Sequence, residues 1–246
     1  MRIRASAIGI ATTDGTFADN YRRALELSAV AAGTGAQAIL LPEAFAAGYC
    51  ADDLAPYAET LVGSPHLQAF ARLSELHRCL IALGFIERTA DGPANTVALF
   101  DGGRLAGVHR KTILWPDDTR PWRDERRLVR PGTGFEPITT SLGRIGVLTC
   151  YENMVPEGWA AWRGRVDLVL SPYNCEDDPS RHNVAGSRTI GVPSLWANRT
   201  GTTYRGPALP PASNPGTSGA VDATGTILAR SRPGAEETVE VAIELG

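Results

Sequence analysis

The sequence predicts an α/β protein. Strand-like and helix-like segments alternate from one end to the other, short apolar runs sit between periodic ones, and no internal repeat or long linker interrupts them. Residues 4–11 read as a first strand. A helix is predicted over 19–32, with Tyr21, Leu25, Ala29 and Ala32 on one face and Gly33 as its terminating residue. Residues 36–41 form a short buried strand that runs into Pro42-Glu43. Ser64-Pro65 supplies an N-cap and a first-turn proline for a second helix through 77, which carries Leu67, Phe70, Leu73 and Leu76.

Residues 79–87, 95–100 and 105–110 read as consecutive strands, the last two joined by the hairpin signal Asp101-Gly102-Gly103. Residues 112–135 hold three prolines and many charges and read as a long loop. A buried strand over 144–149 leads into Cys150. A helix near 156–162, a strand over 168–171 and a helix over 183–190 follow. The remainder is β-rich, with strands at 194–197, 218–222, 226–231 and 238–245 and a Pro/Gly/Ser/Asn loop at 206–216. The interleaving favours one domain spanning 1–246 over two small ones.

Composition removes several function classes. With 43% hydrophobic and 21% charged residues, the chain can bury an ordinary core. A net charge of −3 gives no electrostatic argument for nucleic acid or an anionic membrane, and the arginines between 120 and 127 alternate with acids. No apolar stretch reaches the length of a membrane span, and the N-terminus lacks the pattern of a signal peptide. Cys50, Cys79, Cys150 and Cys175 lie far apart without a CxxC pair, which suits a reducing cytoplasm, although four cysteines also permit two disulfides.

The common nucleophile elbow, zinc-protease and nucleotide-loop motifs are absent. His66, His77, His109 and His182 have no metal-ligand spacing and read as structural or surface residues. No metal and no organic cofactor is therefore expected. A cysteine nucleophile would need a proton acceptor other than histidine. Glu43, Lys111 and Cys150 each stand where a predicted strand gives way to a loop, the place where side chains converge in α/β sheets. Singly, each is also an ordinary residue: a solvated acid, a surface lysine, a small core thiol. Together they form a kit for attack on a carbon–nitrogen bond, with carboxylate as base, thiol as nucleophile and ammonium as electrostatic stabiliser.

The sequence shows Leu41-Pro42-Glu43, Arg110-Lys111-Thr112 and Gly146 through Cys150-Tyr151-Glu152, in that order. In this it resembles the nitrilase, or carbon–nitrogen hydrolase, superfamily. Pro131-Gly132, the run 197–201 and the run 219–225 extend the resemblance over nearly the whole chain. It implies a four-layer αββα sandwich, a cofactor-free mechanism and pairing into homodimers. It also implies that Glu43, Lys111 and Cys150 form a triad, that Glu125 is a second glutamate orienting Lys111 or the substrate nitrogen, and that the Tyr151 backbone N–H binds the oxyanion. The stretch Gly186-Ser187-Arg188-Thr189-Ile190 departs from the family's Arg-Ala-x-Glu-Asn pattern. Cys50 and Cys175 are rival nucleophiles near the crevice but lack the flanking motif.

The implied reaction is cysteine-dependent hydrolysis of a small amide or carbamoyl amine through a thioester. Nitrile hydrolysis and soluble acyl transfer are the alternatives, since the glutamate in Cys150-Tyr151-Glu152 occurs in those branches where many amidases have aspartate. A non-catalytic interaction protein of the same fold is the remaining option.

Overall fold

A computed structural model describes residues 1–14, 16–48, 53–120, 123–203 and 212–246. Its strands are β1 (Arg2–Thr13), β2 (Ala38–Leu40), β3 (Leu80–Thr89), β4 (Gly92–Asp101), β5 (Arg104–Arg110), β6 (Ile138–Thr140), β7 (Gly143–Val147), β8 (Leu168–Tyr173), β9 (Ser194–Thr203), β10 (Ala212–Pro215), β11 (Gly219–Val221), β12 (Ile227–Arg230) and β13 (Glu237–Glu244). The helices are α1 (Phe17–Gly33), α2 (Pro65–His77), the short α3 (Glu125–Leu128), α4 (Pro156–Ala160) and α5 (Ser180–Ile190).

One hydrogen-bonded path among the described residues runs β5-β4-β3-β2-β1-β9-β8-β7-β6. It folds into two facing layers because β1 and β9 each serve both. The first half of β1 lies between β2 and β13, while residues 10–13 pair in parallel with 199–202 of β9. The first half of β9 lies between β8 and β11. The result is a sheet bent nearly into a barrel.

The layers pack through Ile3, Ala7, Leu40, Leu80 and Val97 from one side against Ile145, Val147, Leu168, Leu170 and Leu195 from the other. The outer face of the first layer is covered by α1 and α2, which bury Tyr21, Ala24, Leu67 and Phe70 against Ile8, Ile39, Ile81 and Leu83. The outer face of the second is covered by α4 and α5, with Trp159, Trp162 and Ile190 on Leu148 and Val169. This is the expected αββα sandwich. Central strands covered on both faces explain why β3 reads as an unbroken apolar run rather than an alternating one.

Local signals held where side chains and backbone act within a few residues. Ser64 Oγ accepts from the Leu67 N–H at 3.2 Å to cap α2, and Gly102 and Gly103 take φ of 55° and 85° in the β4–β5 turn. Other details differ, among them the short helix α3 (Glu125–Leu128), capped by Asp124, inside the 112–135 segment read as a loop. Helix α1 buries a face of Asn20, Tyr21, Ala24, Ser28, Ala31 and Ala32, leaving Leu25 half-buried and Ala29 exposed, because α2 packs on it from one side. Gly33 stays helical and Gly35 takes the left-handed conformation. Leu76 is exposed near the end of α2. The predicted loop at 206–216 is β10 from 212 to 215, and its residues 206–211 lie outside the described part.

The departing stretch at 186–190 has a packing reason. A Cβ on Gly186 would collide with the Trp159 ring, so its absence lets α4 seat that indole against α5.

Candidate active site

Three strand ends and two turns bring the predicted residues together. Beyond β2, the chain turns at Glu43, whose N–H donates to the Tyr173 carbonyl at the end of β8 at 3.3 Å. The turn lies flat on β3. A Cβ at Gly84 would come within 2.6 Å of the Pro42 carbonyl oxygen and 2.8 Å of Glu43 Cα. Lys111 follows β5, its N–H donating to the Asn95 carbonyl at 2.8 Å and its carbonyl accepting from the Gly132 N–H at 2.8 Å. Cys150 opens a 3-10 turn, Cys150–Asn153, three residues after β7 ends.

Glu43, Lys111, Glu125 and Cys150 are all buried and line one cavity of about 310 Å³. Lys111 Nζ lies 2.8 Å from Glu43 Oε1 and 2.8 Å from Glu125 Oε2. One ammonium thus bridges two carboxylates. Glu125 is held in turn by the Trp115 N–H at 2.6 Å. Asn95 donates through Nδ2 to Glu43 Oε1 at 2.7 Å and to Glu125 Oε1 at 3.1 Å. Sequence reasoning placed Asn95 at the start of a strand without a role, and a buried amide among strand apolars is the signal that was there to be read.

The electrostatics follow from burial and neighbours. Burial opposes the charge on Lys111, but Glu125 and Glu43 outweigh it and hold the ammonium protonated, above the usual lysine range. Burial raises Glu43 above an ordinary glutamate; Lys111 opposes the shift and Glu125 adds to it. The Cys150 thiol is pushed well up, first by the neighbouring Cys175 thiol, then by burial and by the Glu43 carboxylate, with Lys111 opposing. At rest the thiol is therefore protonated. Attack from Cys150 requires a base, and Glu43, a carboxylate made more basic by burial, is suited to that task.

Cys150 and Ala44 both hold left-handed backbone, with φ of 46° and 42°, which is costly for residues bearing a Cβ. Tyr151, second in the 3-10 turn, has an N–H without an intrahelical acceptor. Its ring meets Trp115 edge-on at 5.0 Å.

Glu152 changes meaning once its contacts are known. It is fully buried, and its carboxylate accepts from the Thr112 N–H at 2.7 Å, the Ile113 N–H at 3.3 Å, the Thr149 N–H at 2.7 Å and His109 Nε2 at 2.8 Å. It therefore ties the residue after Lys111 to the residue before Cys150. Burial would raise its pKa, but His109 and the backbone donors outweigh that and hold it below the usual range. A side chain so fully engaged is a brace between two strand ends. His109 finds its role here as Glu152's partner.

Of the rival nucleophiles, Cys175 lines the same cavity, with its thiol bonded to the Asp177 carbonyl at 3.3 Å. Cys50 lies outside the described residues.

A four-layer αββα sandwich with buried carboxylates, an ammonium and a thiol at one cavity defines the class of protein. The chain matches the carbon–nitrogen hydrolase family over residues 4–246, and it belongs to that family. It is 29% identical over 175 residues to a probable nitrilase of Schizosaccharomyces pombe, covering 67% of this chain and 61% of that protein. It is 29% identical over 190 residues to an N-carbamoylputrescine amidase of Oryza sativa, covering 74% and 62%. Both alignments span less than two thirds of the relative's length. Among solved structures, a superfamily protein of Xanthomonas campestris superposes with a TM-score of 0.83 at 20% identity, over 99% of this chain and 91% of the other. A carbon–nitrogen hydrolase of Helicobacter pylori gives 0.81 at 22% identity, over 99% and 90%. At those identities the likeness speaks for the fold.

Proposed function

We propose that this chain, as one domain over 1–246, hydrolyses the carbon–nitrogen bond of a small amide or carbamoyl amine through a thioester on Cys150. The observation that carries this is the meeting of Glu43, Lys111, Glu125 and Cys150 in one buried cavity. Glu43 takes the thiol proton as Sγ attacks the carbonyl carbon. The oxyanion so formed is stabilised by Lys111 and the Tyr151 N–H. Glu43 returns the proton to the leaving nitrogen, the C–N bond breaks, and ammonia or amine departs. Water then gives a proton to Glu43 and its oxygen to the thioester carbon; the tetrahedral adduct collapses, releasing the carboxylic acid and the thiol. Glu125 keeps Lys111 aimed at the reacting oxygen. The cycle uses protein side chains, one backbone N–H and water.

Nitrile hydrolysis is the second reading, because curated relatives include nitrilases. It would use the same thiol and pass through a thioimidate. Soluble acyl transfer would intercept the thioester with an amine instead of water. Among the described residues no helix is long and apolar enough to cross a membrane. The proposal includes cytoplasmic placement, supported by the free thiols of Cys79, Cys150 and Cys175, and a homodimer, to be read by sedimentation.

The test is incubation with amide, carbamoyl and nitrile panels while ammonia and intact mass are followed. An acyl adduct on Cys150 is expected, together with loss of turnover in a folded Cys150→Ala protein. Retained turnover in that variant overturns the assignment, and metal-dependent activity after chelation would oppose the cofactor-free mechanism.

A further inference from the structure

The cavity is layered. Its floor holds the reacting groups, Trp115 and Met154 give it apolar wall, and its mouth carries Arg120, Arg123 and Arg181. Guanidinium forks have more donors here than the protein uses. Arg120 spends its Nε on Asp117 Oδ2 at 2.7 Å, and Arg123 spends one Nη on Glu176 at 3.0 Å. Arg181, in the first turn of α5, has no carboxylate within ion-pair distance among the described residues. Its Nε faces His182 Nε2 at 3.2 Å. Burial, and then the charge of Arg181, push His182 below the ordinary imidazole range, so that ring is neutral and accepts from Arg181. The remaining guanidinium nitrogens of Arg181 are left for a ligand.

We propose that the substrate is an ω-amide of a dicarboxylic acid, with the amide over Cys150, a short methylene stem between Trp115 and Met154, and a free carboxylate on Arg181 with Arg120 and Arg123 beside it. This rests on the hydrolase reading and names its substrate class. A planar fork matches a carboxylate by two parallel hydrogen bonds, which neither water nor a neutral amide reproduces as well. Asp177 at the same mouth makes no ion pair among the described residues and would favour a cationic end instead, so a cationic isostere is the necessary control.

Three amides of equal length test the proposal: the monoamide of glutaric acid, pentanamide and 5-aminopentanamide. Binding is measured by calorimetry on Cys150→Ala, and turnover on the wild type. The anionic amide should bind and react at least about tenfold better than the other two, the worth of one charge-assisted pair. Arg181→Gln should raise KM about tenfold for the anionic amide alone and leave kcat near wild type; Arg181→Lys should restore part of the loss. Equal or better handling of the neutral or cationic amide overturns the proposal. Turnover that depends on Cys150 but shows no anion preference removes this inference and spares the hydrolase reading. Anion-selective binding to Cys150→Ala, lost in Cys150→Ala/Arg181→Gln, with no wild-type turnover of any amide does the reverse.

Discussion

Replacing Glu152 by Gln separates a structural brace from a catalytic group. The carboxylate is buried on every side and accepts from four donors, two on each oxygen. The amide introduced by Glu152→Gln would aim a donor at one of those donor pairs and remove the charge opposite His109. One broken buried pair costs about 3–5 kcal/mol, because donors stay behind without acceptors. For a chain of this size that corresponds to a fall in Tm of roughly 10 °C. The pH dependence carries a sign. Glu152 has a lowered folded pKa, so its stabilisation is complete above the unfolded glutamate value of about 4.3 and is lost as pH falls through the lower folded value. The Tm gap between wild type and variant should be widest near neutrality and shrink in acid. Differential scanning calorimetry from about pH 3 to 8 measures both. A gap under about 2 °C near neutrality, or one that grows in acid, would refute the reasoning.

Other perturbations act on the chemistry. Glu43→Gln keeps size and polarity but cannot take the thiol proton; single-turnover acylation should slow by about 10² or more, and near-normal acylation would remove Glu43 as base. Because burial raises Glu43, the acid limb of kcat/KM should lie above the ordinary glutamate pKa of about 4.3, a point read from a pH–rate profile. Gly84→Ala puts a methyl against the Pro42–Ala44 backbone and must displace Glu43; kcat should fall about tenfold or more with circular dichroism unchanged, and unaltered kcat would show the turn can yield. Cys175→Ala removes the leading cause of the raised Cys150 pKa, so iodoacetamide should label Cys150 faster at fixed pH while turnover persists.

The alternation of apolar runs and periodic segments was enough to read an α/β fold from the chain, since burial of one face and the spacing of side chains are local properties. The cap at Ser64, the glycines at 102 and 103 and the strand-end placement of Glu43, Lys111 and Cys150 were legible for the same reason. Motif order pointed to the family before any coordinate did. What the chain could not display was contact between distant segments. Asn95 and Glu152 read as a strand residue and a motif residue, and the sequence showed neither that one joins Glu43 to Glu125 nor that the other fastens Thr112 to Thr149. Whether a buried amide or carboxylate is a brace depends on which donors surround it, and only the folding of β1 and β9 into two facing layers brings those donors together. The same holds for the mouth of the cavity: only the folded chain pairs Arg123 with Glu176, beside the local pair of Arg120 with Asp117, and leaves Arg181 without a carboxylate partner among the described residues.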